Sequence, residues 1–290
     1  MTGMDSSTAP QLSRIVVVTR AGTGIGRATA RAFAAEGAHV LAVGRRAEPL
    51  DETATGYGRI TPLAVDITAA DGPELIVRTA LEMYGRLDVL VNNAGIVRSG
   101  ALGALTPEMI APQIATNLIA PVLLAQAALP SLEASGGVIV NVSTSAGQRA
   151  WPGSSVYAAT KTALETLTRN WAVELAPRGI RVAAVAPGAI DTPIGEHQGL
   201  TPERMAAVRQ WQLAHTPLAR IGRPEEVAWA ITQPCLDGDM TTAPPSDKGI
   251  RVAAERLAVL DERIAAQTAV RDRLQAALRQ ATSDRIRPVA

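Results

Sequence analysis

Residues 156–174 read VYAATKTALETLTRNWAVE, and this stretch predicts one long amphipathic helix around which the rest of the chain is organised. Side chains three and four residues apart share one face of a helix. Here that spacing places an apolar stripe on one face, formed by Ala163, Leu164, Leu167, Trp171 and Leu175. A helix with such a stripe is suited to packing against a sheet.

Tyr157 and Lys161 lie one turn apart on the same predicted helix. A tyrosine hydroxyl titrates near ~10, and a neighbouring ammonium favours the tyrosinate, which brings the phenol closer to the neutral range. The pair is therefore a candidate proton donor with a tuning cation, although the same spacing also arises by chance. Lys161 is one of two lysines in the chain, and Arg carries nearly all the positive charge, so a solvated face would more often carry Arg.

Composition limits the classes of function. Apolar residues make up 47% of the 290 residues, enough for a large core, and the single Phe means that the core is aliphatic. A net charge of +1 gives no electrostatic case for binding nucleic acid or an anionic membrane surface. The single cysteine, Cys235, excludes an internal disulfide and fits a reducing cytosol, and three histidines leave little for a metal site.

Targeting signals are not evident in the sequence. The first 13 residues are polar and contain an early Asp, which is unlike a secretory signal. No run reaches the roughly 18 apolar residues that span a bilayer. We therefore expect a cytoplasmic protein without membrane or nucleic-acid partners.

The glycine-rich segment at residues 20–26, RAGTGIG, follows a short apolar run at 14–19 and precedes a helical pattern that ends at Gly37. Most glycine clusters mark ordinary turns. Between a strand and a helix, however, glycines let the backbone approach a pyrophosphate, and the free amides at the helix start point at it. This placement favours a dinucleotide site.

The second predicted strand, residues 39–43, ends in Gly44, Arg45 and Arg46. A carboxylate at this point would accept from a ribose 2′-hydroxyl, whereas arginines accommodate a 2′-phosphate. The two arginines favour NADP(H) over NAD(H); the alternative is a solvated pair in a loop.

Further strands are predicted at residues 60–65, 87–91, 138–142 and 180–185, with helices between them. One long helix is predicted from Pro107 to about Leu129; Pro112 and Pro121 lie inside it, so it should be kinked or divided. The alternation predicts a Rossmann-type, doubly wound parallel α/β sheet. Polar and glycine segments follow the strand ends and should meet at one rim of the sheet.

These residues resemble the short-chain dehydrogenase/reductases over about residues 14–232. The resemblance rests on the loop at 19–26, Asp66, NNAG at 92–95, Asn117, the Tyr157–Lys161 pair, PGAIDT at 187–192 and RIGRPEEVA at 220–228. It implies hydride transfer between NADP(H) and a carbonyl or alcohol, without a metal. Tyr157 would be the acid or base, Lys161 would lower the pKa of Tyr157 and bind the ribose hydroxyls, and Asn117 would keep a water relay to Lys161.

The resemblance also implies a hydroxyl that polarises the substrate oxygen. Thr144 takes the position of the family's serine, and Ser143 beside it is the alternative. The cofactor-binding residues that the motifs imply are Gly22, Thr23, Gly24, Ile25, Gly26, Arg45, Arg46, Asp66, Ile67, Asn93, Ala94, Gly95, Tyr157, Lys161, Pro187, Gly188, Ile190 and Thr192.

Arg20 departs from the family pattern, because it stands where the first glycine of the cofactor loop is expected. Glycine allows a positive φ and leaves room for the ligand. An arginine there can crowd the adenosine ribose, swing outward, or pair with the 2′-phosphate, and the sequence leaves these three open.

The C-terminal region departs as well. Residues 233–248 are proline-rich and polar, which predicts a linker after the domain at 14–232, and the family's last strand is expected to be missing. Residues 249–290 carry a helical pattern that suits a two-stranded coil, a helix lying on the domain, or a replaced and partly disordered tail. The likeness to the family predicts a homo-oligomer, and this tail can alter it.

Residues 194–217 occupy the family's substrate-lid position. Possible pocket walls are Trp151, Met205, Val208, Trp211 and Leu213, each as readily ordinary packing, and two histidines, His197 and His215, could meet polar substrate groups. By analogy with the family, the expected substrate is a small or medium-sized, partly apolar ketone or secondary alcohol. The alternative hypothesis is a non-catalytic, cofactor-impaired protein that binds partners through its C-terminal helix.

Overall fold

Six parallel strands form the sheet, and the computed structural model describes residues 13–145, 153–216 and 218–236. The strands lie in the order β3-β2-β1-β4-β5-β6, with every pairing parallel. Their bounds are β1 Ile15–Thr19, β2 His39–Gly44, β3 Ile60–Ala64, β4 Val89–Asn92, β5 Val138–Val142 and β6 Arg181–Val185. The chain winds outward from β1 and then outward from β4, so the predicted doubly wound sheet is confirmed.

Helices cover both faces of this sheet. Their bounds are α1 Gly24–Ala35, α2 Ala47–Ala54, α3 Gly72–Tyr84, α4 Pro107–Ile114, α5 Ala120–Ser135, α6 Ser155–Leu175, α7 Ile194–His197, α8 Pro202–His215 and α9 Pro224–Leu236. The sequence analysis did not predict α2 or α7. The N-terminus of α8 was predicted correctly, because Thr201 accepts from the amide of Arg204 and Pro202 follows it.

Alternating side chains of the strands build two separate cores. Val16 and Val18 of β1 point to one face, where they pack with Phe33 of α1 and Ile231 of α9. Val17 points to the other face, into a core that α3, α5 and α6 cover. Because both faces are buried, β1 is apolar along its whole length, as expected of a central parallel strand.

Helix α6 contains the whole stretch that the sequence singles out. Leu164 and Leu175 are fully buried, while Trp171 is half-buried against the second core. The same face also buries polar groups, including Lys161 and Thr168. Thr168 accepts a hydrogen bond of 2.9 Å from Asn141 of β5, so α6 is joined to the sheet by polar as well as apolar contacts.

The long helix predicted from Pro107 is divided, as expected, but the division is a π turn rather than a proline kink. Residues Ala115–Ile119 form this turn between α4 and α5, and α5 then runs to Ser135. Pro121 lies in the first turn of α5, where the missing amide costs nothing. Pro112 is tolerated inside α4.

The predicted domain end at residue 232 needs correction, because α9 continues to Leu236. Cys235 was predicted to lie in the linker. It is instead buried in the first core, which also contains Phe33 and Ala34 of α1. Within the described ranges, β6 pairs only with β5 and is the last strand. The remainder of the predicted linker, the helical tail at 249–290 and residues 1–12 lie outside the described residues.

One segment, Pro107–Ser135, is long and apolar enough by length and composition to cross a membrane, with a mean hydropathy of 1.4. It is interrupted by the π turn, and its apolar side packs into the second core through Leu124, Ala128 and Leu132. That packing is the behaviour of a core helix in a globular domain.

Replacing Leu124 by Ala should lower the free energy of unfolding by about 2–5 kcal/mol, because Leu124 is fully buried and its loss leaves a cavity. The neighbouring Leu123 is 41% exposed, so Leu123→Ala should cost less than about 1 kcal/mol. Urea unfolding of both variants measures the difference. Equal losses would contradict the described orientation of α5.

Candidate active site

The carboxyl ends of β1, β4, β5 and β6 meet at one rim of the sheet. Hydrogen bonds donated by backbone amides connect these strands and the loops that follow them. The amides of Asn93 and Ala94 donate to the Thr19 hydroxyl at 3.0 and 2.9 Å, which ties the loop after β4 to β1. The amide of Ser145 donates to the carbonyl of Pro187 at 2.9 Å, which ties the loops after β5 and β6. The four predicted motifs therefore converge as expected for a doubly wound sheet.

Lys161 is buried, with only 3% of its surface exposed, and its ammonium donates to the carbonyl of Val142 at 2.7 Å. Val142 is the last residue of β5, so this bond fixes α6 against the strand end. Burial first, and the positive charge of Arg20 second, lower the pKa of Lys161 from 10.5 to about 8. An ammonium in such a place is costly without an anionic partner.

Tyr157 precedes Lys161 by one turn, and its hydroxyl shares a hydrogen bond with Thr144. Burial raises the pKa of Tyr157, while the Thr144 bond and the charge of Arg20 lower it only in part. The sequence assigns the tuning charge to Lys161, which stays a prediction, and the structure adds Arg20 as a cation that lowers the pKa of Tyr157. The phenol is therefore protonated at neutral pH.

Ser143 and Thr144 point in different directions. The Ser143 hydroxyl is buried and donates to the Glu165 carboxylate at 2.6 Å, with a second contact of 3.3 Å to the Lys161 carbonyl. Both contacts hold the Ser143 hydroxyl against α6, so Thr144 supplies the hydroxyl that lies beside Tyr157. The geometry favours the first choice of the sequence analysis over its alternative.

Asn117 lies in the π turn and is completely buried. Its side-chain oxygen accepts from the Ile96 amide at 2.8 Å, and its nitrogen donates to the Ile96 carbonyl at 2.9 Å and to Thr160 at 3.1 Å. The amide therefore joins the loop after β4 to α6. Its predicted part in a water relay stays a prediction, since these bonds engage both ends of the side chain.

Two glycines of the loop at 20–26 are required by close contacts. A Cβ at Gly26 would lie 2.2 Å from the Arg20 carbonyl and 2.6 Å from Asn93 Nδ2, so the start of α1 can press against the rim only without a side chain. Gly24 has a φ of +53°, and a Cβ there would lie 3.0 Å from Thr192 Cγ2. The predicted phosphate loop is therefore adjacent to Thr192, another of the predicted cofactor-binding residues.

Arg45 and Arg46 follow β2 and are exposed. Arg45 acts electrostatically on Asp66, which is also exposed and forms a turn by accepting from the amide and hydroxyl of Thr68 at 2.9 and 2.8 Å. Partial desolvation opposes ionisation of Asp66, but the Thr68 bonds and Arg45 hold the pKa of Asp66 below its ordinary value. Beside it, Ile67 is buried.

The remaining predicted cofactor residues serve the rim in different ways. The Asn93 side-chain nitrogen donates to the carbonyl of Thr19, so this side chain connects the loop after β4 to β1. Gly95 lies next to Lys161, since a Cβ on it would lie 3.2 Å from Lys161 Nζ. Ile190 pairs with Gly222 in a short parallel bridge, which holds the loop containing Gly188 and Thr192.

The described part of the predicted substrate lid forms α7 and α8, and neither helix contains a fully buried residue. In α8, Val208, Trp211 and Leu213 are 37%, 43% and 38% exposed. Of the other two predicted pocket walls, Met205 is half-buried and Trp151 lies outside the described residues. His215 stacks on Trp211 at 3.9 Å, whereas His197 of α7 reaches the rim and contacts Arg20.

The sequence analysis recognised that Arg20 is unusual but missed its position. Its backbone has a φ of +52°, and its guanidinium points into the rim, where it donates to the Gly95 carbonyl and, at 2.8 Å, meets His197 Nδ1. His197 was considered only as a possible substrate contact. Nothing in a single sequence states the direction of a long side chain. Among the described residues, no group of His, Cys, Asp and Glu side chains is arranged to hold a metal.

Comparison with known proteins supports this description. A family model for short chain dehydrogenases matches residues 14–202. The chain is 40% identical over 223 residues to a 3-oxoacyl-acyl-carrier-protein reductase of Thermotoga maritima, covering 75% of this chain and 88% of that protein. It is 37% identical over 220 residues to L-xylulose reductase of Mus musculus, covering 75% and 87%.

Two solved structures are similar as well. A short-chain dehydrogenase/reductase of unknown function from Caenorhabditis elegans, crystallised with cofactor, has a TM-score of 0.71 and 34% identity over 77% of this chain and 88% of that chain. A 3-ketoacyl-(acyl-carrier-protein) reductase of Brucella melitensis, complexed with NADH, has a TM-score of 0.70 and 29% identity over 78% and 92%.

Replacing Arg20 by Met should raise the pKa of Lys161 above about 8 but leave it below its ordinary value, because burial is the larger cause and persists. NMR titration of isotopically labelled lysine measures this directly, and Lys161→Arg assigns the signal. Arg78→Met, which removes an exposed arginine of α3, is the control. An unchanged titration in Arg20→Met would contradict the described position of the guanidinium.

The same pKa sets the sign of a pH effect on stability. Between pH values of about 8 and ~10.4, the unfolded chain keeps a proton on Lys161 that the folded protein has released. The contribution of Lys161 to the free energy of unfolding should therefore rise with pH through that window.

Proposed function

The chain belongs to the short-chain dehydrogenase family of oxidoreductases, and from that premise we propose that it transfers hydride between NADP(H) and a small or medium-sized ketone or secondary alcohol. The observation that carries the proposal is the hydrogen-bonded pair of Tyr157 and Thr144 beside the buried Lys161, at the rim where the glycine loop ends. A proton donor, a second hydroxyl and a cation are thereby placed in one site.

The residues at this rim fit a nicotinamide dinucleotide. The first turn of α1 offers amides without helical partners, a feature that binds phosphate. Lys161 is a buried cation that lacks a carboxylate partner among the described ion pairs, so hydroxyl or anionic groups of a ligand would compensate it. We assign the pyrophosphate to the loop at 22–26 and the nicotinamide ribose to Lys161.

Arg45 and Arg46 support NADP(H) rather than NAD(H). Both are exposed, and neither takes part in an ion pair within the described residues. Guanidinium groups bind phosphate in a bidentate manner. The similar Brucella melitensis structure is described with NADH, so the choice between the two cofactors rests on these two side chains.

The proposed chemistry divides into hydride and proton transfer. When bound, the nicotinamide supplies the hydride in reduction and accepts it in oxidation. Tyr157 gives its phenolic proton to the substrate oxygen in reduction and takes it back in oxidation. Thr144 donates to the same oxygen and polarises the carbonyl. Because burial raises the pKa of Tyr157, the resting site holds the proton that reduction requires.

The substrate class, the assembly and the location are further parts of the proposal. The relatives named above reduce carbonyl groups by their names, and the exposed apolar residues of α8 suit a partly apolar molecule. Apolar side chains are also exposed in the π turn (Ile119), on α5 (Leu123) and on α6 (Val173), which supports a homo-oligomer. We place the protein in the cytoplasm on the composition alone.

A second candidate function is supported by one observation, the guanidinium of Arg20 inside the site. In that case the protein would bind no nicotinamide cofactor and would act as a binding or regulatory protein through its C-terminal region. The two candidates differ in whether the folded protein takes up cofactor.

Tyr157→Phe should lower kcat for carbonyl reduction by about 10²–10⁴-fold, because it removes the proton donor and keeps the ring. Thr144→Val should lose the polarising hydroxyl and most of the turnover, whereas Thr144→Ser should keep it. A panel of ketones with NADPH, followed by the loss of NADPH fluorescence, measures this. Tyr157→Phe with wild-type turnover would overturn the assigned role.

Replacing both Arg45 and Arg46 by Gln should raise the dissociation constant for NADPH about tenfold or more, since charge-assisted hydrogen bonds to the 2′-phosphate are lost. Binding of NADH should not change. Calorimetric titration with both cofactors gives the ratio, and Arg78→Gln on α3 is the matched arginine control. Equal weakening for both cofactors would remove these arginines from 2′-phosphate recognition.

A further inference from the structure

Arg20 adopts a backbone conformation that is unfavourable for a residue with a side chain. Its φ of +52° lies in the left-handed region, where a Cβ comes too close to the backbone. The conformation is held by its surroundings, because Gly26 presses against the Arg20 carbonyl and Asn93 Nδ2 lies 3.4 Å from the same oxygen. The backbone of the loop therefore sets the direction in which the Arg20 side chain leaves it. Backbone strain of this kind is often found at functional positions.

The side chain bridges three loops of the rim. It starts in the loop after β1, donates to the Gly95 carbonyl in the loop after β4, and meets His197 in α7, which follows β6. Burial first, and the charges of Arg20 and Arg46 next, lower the pKa of His197, so its neutral ring accepts from the guanidinium at neutral pH.

The bridge lies against the groups that the proposed function assigns to ribose and substrate. A Cβ added to Gly95 would lie 3.2 Å from Lys161 Nζ and 3.6 Å from Asn117 Oδ1, so the carbonyl that Arg20 holds belongs to the immediate surroundings of Lys161. The charge of Arg20 acts on both Lys161 and Tyr157. The guanidinium therefore lies in the surroundings of the ammonium and the phenol that the proposed function assigns to the ribose and the substrate.

We propose that the Arg20 side chain is a built-in occupant of the space for the nicotinamide ribose, and that Arg20 and His197 together set the affinity for the cofactor. Cofactor then binds only after the guanidinium leaves Gly95 and His197. The proposal rests on the proposed function, because it names a competitor for the same site.

The electrostatic surroundings make the occupant displaceable by an anion. Lys161, Arg45 and Arg46 all lie close enough to act on Arg20 or its partner His197, and each repels a guanidinium. No carboxylate pairs with Arg20 among the described residues; its partners are a carbonyl and an imidazole. Departure of the guanidinium from this cluster lowers the repulsion, and an anionic ligand at the rim gives the displaced guanidinium a partner that a neutral molecule does not.

The test is calorimetric titration of the full chain with NADPH and with NADH. Arg20→Gly should bind both cofactors about tenfold or more tightly than the wild type, because binding no longer breaks the hydrogen bonds of a charged group. His197→Ala removes one of the two anchors and should fall between them. The double variant should match Arg20→Gly, because His197 acts only through Arg20.

His215→Ala is the matched control, since His215 lies on α8, stacks on Trp211 and is not a partner of Arg20. It should bind cofactor as the wild type does. Arg20→Gly should fold, because glycine is the residue that a positive φ favours, and thermal unfolding checks this. Wild-type binding as tight as that of Arg20→Gly would overturn the proposal and leave the proposed function standing.

A second measurement observes the bridge without cofactor. The NMR signals of the His197 ring, assigned with His197→Ala, should differ between the wild type and Arg20→Gly, and cofactor should shift the wild-type signals toward those of Arg20→Gly. Identical ring signals in the two proteins would mean that the bridge is absent, which overturns this proposal alone. If neither folded protein binds cofactor, the proposed function fails and this proposal fails with it.

Discussion

A buried ammonium determines how the candidate site is assembled. Lys161 donates to the last carbonyl of β5, so α6 cannot slide along the sheet without leaving that charge unpaired. The bond sets the position of Tyr157 one turn earlier, and the loop that follows β5 then brings Thr144 to the phenol. The polar contact between Asn141 and Thr168 fixes the same helix two turns further on. Apolar packing places α6 on the sheet, while these polar contacts define its register.

The rim is rich in positive charge and poor in compensating carboxylates. Arg20, Lys161, Arg45 and Arg46 act on each other or on shared neighbours, and Asp66 is the carboxylate that Arg45 influences. Clustered cations repel one another, and phosphate groups bound among them would offset that repulsion. The family's oxidoreductase chemistry and the extra guanidinium at position 20 are therefore compatible: the cofactor brings the anions that this rim lacks. In the proposed account, cofactor binding requires that the Arg20 side chain be displaced.

Much of the fold could be predicted from the sequence, because local patterns determine it. The buried runs of β1 and β5, the glycine loop before α1 and the Tyr157–Lys161 spacing each have a physical meaning that holds in any doubly wound sheet. The choice of Thr144 over Ser143 as the polarising hydroxyl stays a prediction, and the contact that favours it, between Ser143 and Glu165, is visible only in three dimensions.

What the sequence could not supply depends on long-range contacts. The π turn at 115–119 is stabilised by Asn117, whose amide binds the backbone of Ile96 from another loop. Helix α9 extends beyond the predicted boundary because Cys235 is buried against the first core. The direction of Arg20 is set by Gly95 and His197, which are distant in sequence. None of these long-range contacts produces a periodic pattern in the sequence.

The most direct measurement uses the buried lysine itself. In a protein with isotopically labelled lysine, the Lys161 signal is followed by NMR while NADPH, and in a parallel sample NADH, is added to saturation. If Lys161 holds the cofactor ribose, its signal moves progressively to a plateau, and NADPH reaches that plateau at the lower concentration. A folded protein whose Lys161 signal stays unchanged with both cofactors would contradict the account.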